Sequence, residues 1–411
     1  MASSRQREVS QRASLAARKS PSSGRLLEFI HWAAWPGFFG TLVIRKLAFW
    51  GSLLLLATPI AHADILIGQT TGLTGNSAIN VSESNAGARL FIDNVNANGG
   101  VNGQKITLIS LDDKGDAKLA AANARALIEE RGVIGLFMVR GTPQNEAILP
   151  LLDKFGVPEV APSTGAMVLA HPLKKYVFNV RGTYQLEAEQ AIPRLASMGI
   201  SRIAVLRTAD SFGADTVVGV ERGLAQSHLK AVLLADFDKA KPDFKGIVPQ
   251  VIASEAQAVV VLGTGTAVVK ATQALRAAGS NATIVTLSNN ASAGFVHELG
   301  PYARGVVVTQ VFPGEHDAMI PMIRDARAML RAHGQDSLSP AMIEGYAAAE
   351  VLVEALHRSG KKPTSNSLYE ALESMSSFDL GGLKLHYSPE SHSGLVYADF
   401  SIIDGAGNFR R

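Results

Sequence analysis

The chain has 411 residues, 47% hydrophobic and 18% charged, with 38 glycines and 17 prolines; so much apolar surface excludes a disordered or collagen-like polymer. It has no cysteine, which excludes disulfides, thiolate metal sites, a cysteine nucleophile and a lipid-modified N-terminal cysteine. The net charge of +3 originates in residues 1–63, where eight Lys and Arg oppose only Glu8 and Glu28, so the slightly acidic remainder offers no basic field for nucleic acid.

Residues 1–63 read as a leader. Arg45-Lys46 precede an apolar run over 47–57, followed by Pro59 and the small-x-small triplet Ala61-His62-Ala63. This is the three-part pattern of a secretory signal, with cleavage after Ala63 and Asp64 as the first mature residue. A membrane anchor is the competing reading, but the run is shorter than the ~20 apolar residues of a spanning helix. The upstream stretch 26–44 is a weak membrane-interacting segment or translated upstream sequence, with the true start near Leu42 or Val43. With no cysteine to lipidate, the exported protein is expected free in a periplasm.

From Asp64 onward strand and helix alternate. Strand 65–68 leads into a turn-rich loop, and a helix is predicted from Ser82, as N-cap, through Val95 to the stop at Asn98-Gly99-Gly100. Strand 106–111 follows, then a helix capped by Asp116, and a continuous apolar strand over 133–139 of the kind covered on both faces. The alternation continues with helix 143–155, strand 157–161, helix 184–198, strand 203–206, helix 213–226 and strand 231–235. After these come helix 243–254, strand 258–262, helix 266–278 and strands 283–287 and 305–311. Helices over 317–333, 340–358 and 365–374 and a β-rich tail from Leu383 complete the chain. Such alternation predicts an α/β protein with parallel sheets and helices on both faces, and the strands are too many for one open sheet, so two Rossmann-like lobes are expected. Ligands of such sheets sit beyond the C-terminal strand ends. The loops to inspect are 70–80, 112–116, 139–143, 161–166, 207–213, 263–266 and 287–293.

Catalytic and cofactor patterns find little footing. Gly263-Thr264-Gly265-Thr266 follows a strand and opens a helix, but the third glycine and the acidic residue of a dinucleotide site are missing. There is no phosphate-binding loop, no histidine pair at metal-ligand spacing and no nucleophile elbow. Asp112-Asp113 fits a helix entry better than a cation site. No catalytic residue, cofactor or metal is therefore assigned, and binding becomes the leading class of function.

The segments Ile67-Gly68-Gln69-Thr70-Thr71-Gly72-Leu73-Thr74-Gly75, Asn98-Gly99-Gly100-Val101-Asn102-Gly103, Leu111-Asp112-Asp113, Ala161-Pro162-Ser163-Thr164-Gly165 and Asp210-Ser211-Phe212-Gly213 are similar to those of the leucine/branched-chain amino-acid-binding proteins. The resemblance covers nearly all of 64–411. It implies the type I periplasmic binding-protein fold: lobe 1 from 64–180 plus 312–381, lobe 2 from 181–311 plus 382–411, and a three-crossing hinge near 179–181, 310–313 and 379–384. It also implies capture of a small amino acid or related carboxylate between the lobes, for delivery to the permease of an ABC importer. A ligand-sensing regulatory domain of the same fold and a receptor for a non-amino-acid carboxylate or amide stay open.

By the same resemblance, a ligand carboxylate would meet Arg140-Gly141-Thr142 and Ser163-Thr164-Gly165, where hydroxyls and helix-start N–H groups form an anion site; ordinary turn and cap duty is the competing, less favoured reading of Ser163 and Thr164. Asn76 and Ser77 are placed on the same cleft or in a plain turn. Phe212 is either a pocket wall or a core residue. Two departures bear on the ligand. The loop after strand 283–287 reads Ser288-Asn289-Asn290, with Asn289 where amino-acid-binding relatives carry an acid for the α-ammonium, and Thr264 replaces an aromatic. Arg140 stands where small residues are usual; in the cleft it would grip a carboxylate with two N–H groups, and on the surface it would pair with an acid. Together these favour a carboxylate lacking an obligatory amine.

Overall fold

The computed structural model describes residues 63–411. The export signal expected at 47–57 and the stretch before it lie outside the described residues. Lobe 1 begins with β1 (Ile65–Thr71), α1 (Ala78–Ala97), β2 (Ile106–Asp112), α2 (Ala117–Glu129), β3 (Gly135–Phe137), α3 (Thr142–Phe155), β4 (Glu159–Val160) and β5 (Val177–Phe178). Its five strands are parallel in the order β2-β1-β3-β4-β5. Lobe 2 follows with α4 (Tyr184–Ser197), β6 (Ile203–Thr208), α5 (Ser211–Gln226), β7 (Ala231–Phe237) and α6 (Val248–Ala253). It continues through β8 (Ala258–Leu262), α7 (Thr266–Ala277), β9 (Thr283–Thr286), α8 (Ala293–Leu299) and β10 (Val307–Gln310).

The chain then returns to lobe 1 with α9 (Pro321–Ala332), α10 (Pro340–Arg358), α11 (Ser365–Glu373) and a small ribbon of β11 (Phe378–Asp379) and β12 (Lys384–Leu385). Finally β13 (Asp399–Ile403) and β14 (Phe409–Arg410) join the second sheet, whose order is β14-β13-β10-β9-β8-β6-β7. The β6 to β10 pairings are parallel; β13 and β14 add antiparallel strands at one edge, so this sheet is mixed rather than purely parallel.

Both sheets are covered on both faces, as their apolar strands require. In β6 and β8 the alternation of side chains is visible directly: Ala204, Leu206, Val259 and Val261 pack beneath α6 to α8, whereas Ile203, Val205, Val260 and Leu262 pack beneath α4 and α5. In lobe 1, α1 and α9 to α11 cover one face and α2 with α3 the other. Helices α1 and α10 approach closely enough that a Cβ on Gly87 would overlap the Met342 carbonyl, and one on Gly345 the Ser84 carbonyl. No helix among the described residues is long and apolar enough to cross a membrane.

Four local expectations are corrected. Helix α1 starts one turn before Ser82, because the Ser77 carbonyl already accepts from Val81 N at 3.0 Å. Strands β3 and β4 are shorter than 133–139 and 157–161, since Met138 and Ala161 adopt φ of 52° and 54° and turn the chain out of the sheet. Helix α6 keeps only the end of 243–254, because Asp243 accepts from Lys245 N at 3.0 Å and makes a turn there. The third passage between lobes falls between Leu395 and Asp399 rather than at 379–384, because Leu380, Leu385, Tyr387 and Leu395 are all buried in the core of lobe 1.

Candidate functional site

Each sheet contains a point where neighbouring strands send their connections to opposite faces: between β1 and β3 in lobe 1, and between β6 and β8 in lobe 2. A crevice opens at the C-terminal strand ends of such a point. The two crevices meet. Asn76 Nδ2 donates to the Lys239 carbonyl at 2.8 Å, Arg140 Nη2 to the Asn289 carbonyl at 2.8 Å, and Ala341 N to the Ala291 carbonyl at 2.9 Å. Gly265, at φ 43°, lies so close to the Asn76 carbonyl that any Cβ there would overlap it.

The left-handed residues Met138 and Ala161 aim the next residues inward. They bring Arg140 and Ser163 into a parallel bridge beyond the ends of β3 and β4, and strained backbone of this kind persists where the surroundings fix it. Arg140 is 8% exposed. Besides Asn289, it donates to Ser163 Oγ at 3.3 Å, and no carboxylate oxygen among the described residues lies within ion-pair distance. Thr142 and Thr164 share a hydroxyl–hydroxyl hydrogen bond at 3.1 Å beside it.

A second buried arginine provides the contrast. Arg181 Nη2 donates to Glu187 Oε1 and to Ser288 Oγ, both at 2.6 Å, and Arg181 Nη1 lies 3.5 Å from Glu344 Oε2. Glu187 also accepts from Ser288 N at 3.0 Å and from Thr309 Oγ1, and Glu344 accepts from Ser163 Oγ at 2.9 Å. Burial alone would lower Arg181, but Glu344, Tyr184 and Glu187 outweigh it and hold the guanidinium above its ordinary range. Burial lowers Arg140; Tyr184 and Glu344 offset this only in part, and Arg181 adds to the depression. Two guanidiniums thus share two carboxylates, and both carboxylates face Arg181. Arg140 is the cation left over, and an uncompensated buried charge costs several kcal/mol.

The expected site residues separate into groups. Arg140, Gly141, Thr142, Ser163, Thr164 and Asn289 come together at the strand ends, with Gly141 at φ 100° opening α3. Asn76 and Ser77 line a cavity of about 380 Å³ between the lobes, together with Gly115, Ala209, Phe237 and Lys239. Ser77 starts α1 without a side-chain cap bond. Thr264 contributes a buried hydroxyl without a hydrogen-bond partner among the described residues. Gly165 turns toward the hinge, where its carbonyl accepts from Tyr184 N at 2.7 Å and it lines a different cavity. Phe212 is buried in the core beneath α4 and α5, edge-on to Tyr184 at 5.1 Å.

Asp112 and Asp113 serve the helix entry. Asp112 accepts from Thr74 N and Oγ1 and from Lys114 N, and Asp113 from Thr70 Oγ1 and Gly115 N. Two participants have no counterpart in the sequence reading. Lys239 lies in the loop after β7, and Glu344 in the second turn of α10.

The model of the periplasmic binding protein family matches residues 64–400. An amino acid binding protein of Pseudomonas aeruginosa is 28% identical over 205 residues, covering 48% of this chain and about half, 54%, of that relative. A Leu/Ile/Val-binding protein of Rhizobium johnstonii is 24% identical over 323 residues, covering 78% of this chain and 86% of the relative. The crystal structure of a substrate-binding periplasmic protein from Ralstonia solanacearum is similar with a TM-score of 0.78 and 30% identity, covering 84% of this chain and 99% of that one. With its two-lobed α/β architecture, the chain belongs to the periplasmic binding proteins, in the group that includes the Leu/Ile/Val-binding proteins, and is a solute-binding receptor rather than an enzyme.

Proposed function

We propose that the protein is the exported receptor of an ABC importer and captures a small organic carboxylate between its lobes in the periplasm. The observation that carries this reading is Arg140, a buried guanidinium at the meeting of the two crevices that lacks a carboxylate partner of its own. A carboxylate solute supplies that partner. Its two oxygens suit the planar donor pair of the guanidinium, and the hydroxyls of Thr142, Ser163 and Thr164 stand beside it. The pattern of residues 45–63 supports export, and the relatives named above support a role in solute uptake.

The test is calorimetric titration of the purified protein and its Arg140→Met variant with monocarboxylates such as hexanoate and benzoate and with the matching neutral amides. Carboxylate binding in the wild type, absent for the amides and lost in the variant, is the expected result. Amides binding as well as acids would overturn the reading. The importer role is tested by the ligand-dependent ATPase activity of the partner permease complex, which the loaded receptor should raise and the empty receptor should not.

A further inference from the structure

Arg140 is not the only cation that the cleft leaves poorly matched. The cavity of about 380 Å³ lies between the loops that follow β1 and β2 in lobe 1 and those that follow β6 and β7 in lobe 2; the carbonyl of its Gly115 accepts from Gln144 Nε2 at 2.6 Å, in the first turn of α3, the helix that begins just after Arg140. Such a volume falls within the range of small-molecule sites. Its acidic groups already have donors. Asp236 accepts from Arg207 Nε at 2.7 Å, and Asp238 accepts from the backbone N–H groups of Ala240 at 2.6 Å and Lys241 at 2.9 Å. Behind them Asp210 accepts from Thr208 Oγ1 at 2.7 Å and Gly213 N at 3.1 Å, and Asp113 accepts from Gly115 N at 2.8 Å.

Of the two lysines that line the cavity, Lys114 is exposed and Lys239 is half-buried, and Lys239 is not matched in this way. Lys239 Nζ lies 3.9 Å from Asp210 Oδ2, beyond hydrogen-bond reach, and makes no hydrogen bond among the described residues, although its side chain is only 23% exposed. Burial depresses the ammonium, and Asp210 and Asp113 pull it back in part while Arg140 adds to the depression. The geometric link to Arg140 runs through loop 288–290: Arg140 donates to the Asn289 carbonyl, and Asn290 Oδ1 accepts from Gly265 N, the residue that packs on the Asn76 carbonyl. The Lys239 carbonyl is tied across the cleft by Asn76 Nδ2 at 2.8 Å. The lysine therefore comes to the cavity with lobe 2 and is fixed there by lobe 1.

We infer that the solute is a dianion: one carboxylate meets Arg140 and a second acidic group occupies the adjoining cavity against Lys239. The inference rests on the reading of the cleft as a carboxylate site and adds the class of carboxylate. A dicarboxylate gives each of the two cations an acceptor, whereas a monocarboxylate leaves Lys239 with Asp210 at 3.9 Å as its ion-pair contact.

The experiment compares matched pairs by calorimetry, adipate against hexanoate and terephthalate against 4-methylbenzoate, on the wild type and on Lys239→Met and Lys239→Arg. The diacid of at least one pair should bind the wild type tenfold or more tightly than its monoacid. Lys239→Met should remove that margin, and Lys239→Arg should keep it. Equal affinities within both pairs, or a margin that survives Lys239→Met, would overturn the inference. Failure of the underlying reading looks different, because then neither acid of any pair binds and only neutral solutes do. Thermal melts report whether Lys239→Met folds; Lys239→Gln serves in its place if it does not, and the wild-type comparison decides by itself if neither folds.

Discussion

Closure of the cleft should depend on Glu83, a half-buried residue of α1 in lobe 1. Its two carboxylate oxygens accept from Ala293 N at 3.0 Å and Gly294 N at 2.7 Å, the first N–H groups of α8 in lobe 2. These bonds cross between lobes and exist only when the lobes are together. A hydrogen bond to a charged group contributes about 1.5–3 kcal/mol when well buried, and a carboxylate at a helix start about 0.3–1 kcal/mol when exposed. For this half-buried pair a total of about 1–2 kcal/mol is appropriate. Glu83→Ala should therefore shift the open–closed equilibrium by about 5–30-fold and weaken apparent affinity by the same factor, because only the closed form holds the solute. Calorimetry with the best-binding carboxylate reads the affinity, and small-angle scattering at subsaturating solute reads the closed fraction. Glu83→Gln should recover part of the loss, since its amide oxygen still accepts one bond. Glu83→Ala binding within twofold of the wild type, with unchanged scattering, would refute the role of this contact in closure.

Gly345→Ala should cost well over 3 kcal/mol in urea unfolding, because its Cβ would overlap the Ser84 carbonyl across the α1–α10 crossing and neither backbone can yield cheaply. Burial, with Asp325 and Asp379 nearby, raises Glu350 to about 7, whereas the unfolded chain releases that proton near 4.3. The native state thus binds more protons between about pH 4 and 7, and stability falls as pH rises through that window. Glu350→Gln should flatten this dependence and add about 1–3 kcal/mol at pH 8, measured as the shift in urea midpoint. Leucine should bind at least tenfold more weakly than its deaminated analogue 4-methylpentanoate, since an α-ammonium would face Arg140 without a free carboxylate to meet it; equal or tighter leucine binding in calorimetry would contradict this.

Much of the architecture was legible because burial on both sheet faces writes itself as unbroken apolar runs. Strand β8 was read at its observed limits for that reason, and Asp116 capped α2 as its position before an alanine-rich periodic segment implied. The errors share a cause in single residues that override propensity. Nothing in the apolar run 133–139 announces that Met138 will turn to φ 52°, a conformation imposed by the surroundings. Within the site, Arg140, Thr142, Ser163, Thr164 and Asn289 follow from topology, because each stands just after a strand end. Lys239 was missed because strand β7 was ended at Ala235 and the loop beyond it was not among those inspected. Glu344 could not be found by the same rule. It sits inside a helix, and its place beneath Arg181 and Ser163 depends on how α10 packs.

The loop 288–290 shows why the charge of the cleft points to an acid. Three of its acceptors are turned to the protein, and Asn289 Oδ1 has only Asn290 Nδ2 at 3.5 Å. The Asn289 carbonyl takes Arg140, Asn290 Oδ1 takes Gly265 N at 2.7 Å, and Ser288 Oγ takes Arg181. The amide nitrogens of Asn289 and Asn290 both donate to the Gly263 carbonyl. A solute ammonium arriving here would find no carboxylate, only the neutral Asn289 Oδ1, and a guanidinium close by; two like charges about 5 Å apart repel by about 3 kcal/mol at an effective dielectric of 20. An acidic side chain in this loop would instead have paired with Arg140, cancelling the one guanidinium that Glu187 and Glu344 leave uncompensated. Asparagine keeps the loop's hydrogen bonds without that cancellation. The lack of a carboxylate in this loop that makes an ammonium unwelcome thus also leaves Arg140 free for a solute carboxylate, and the two effects act on a single solute in the same direction.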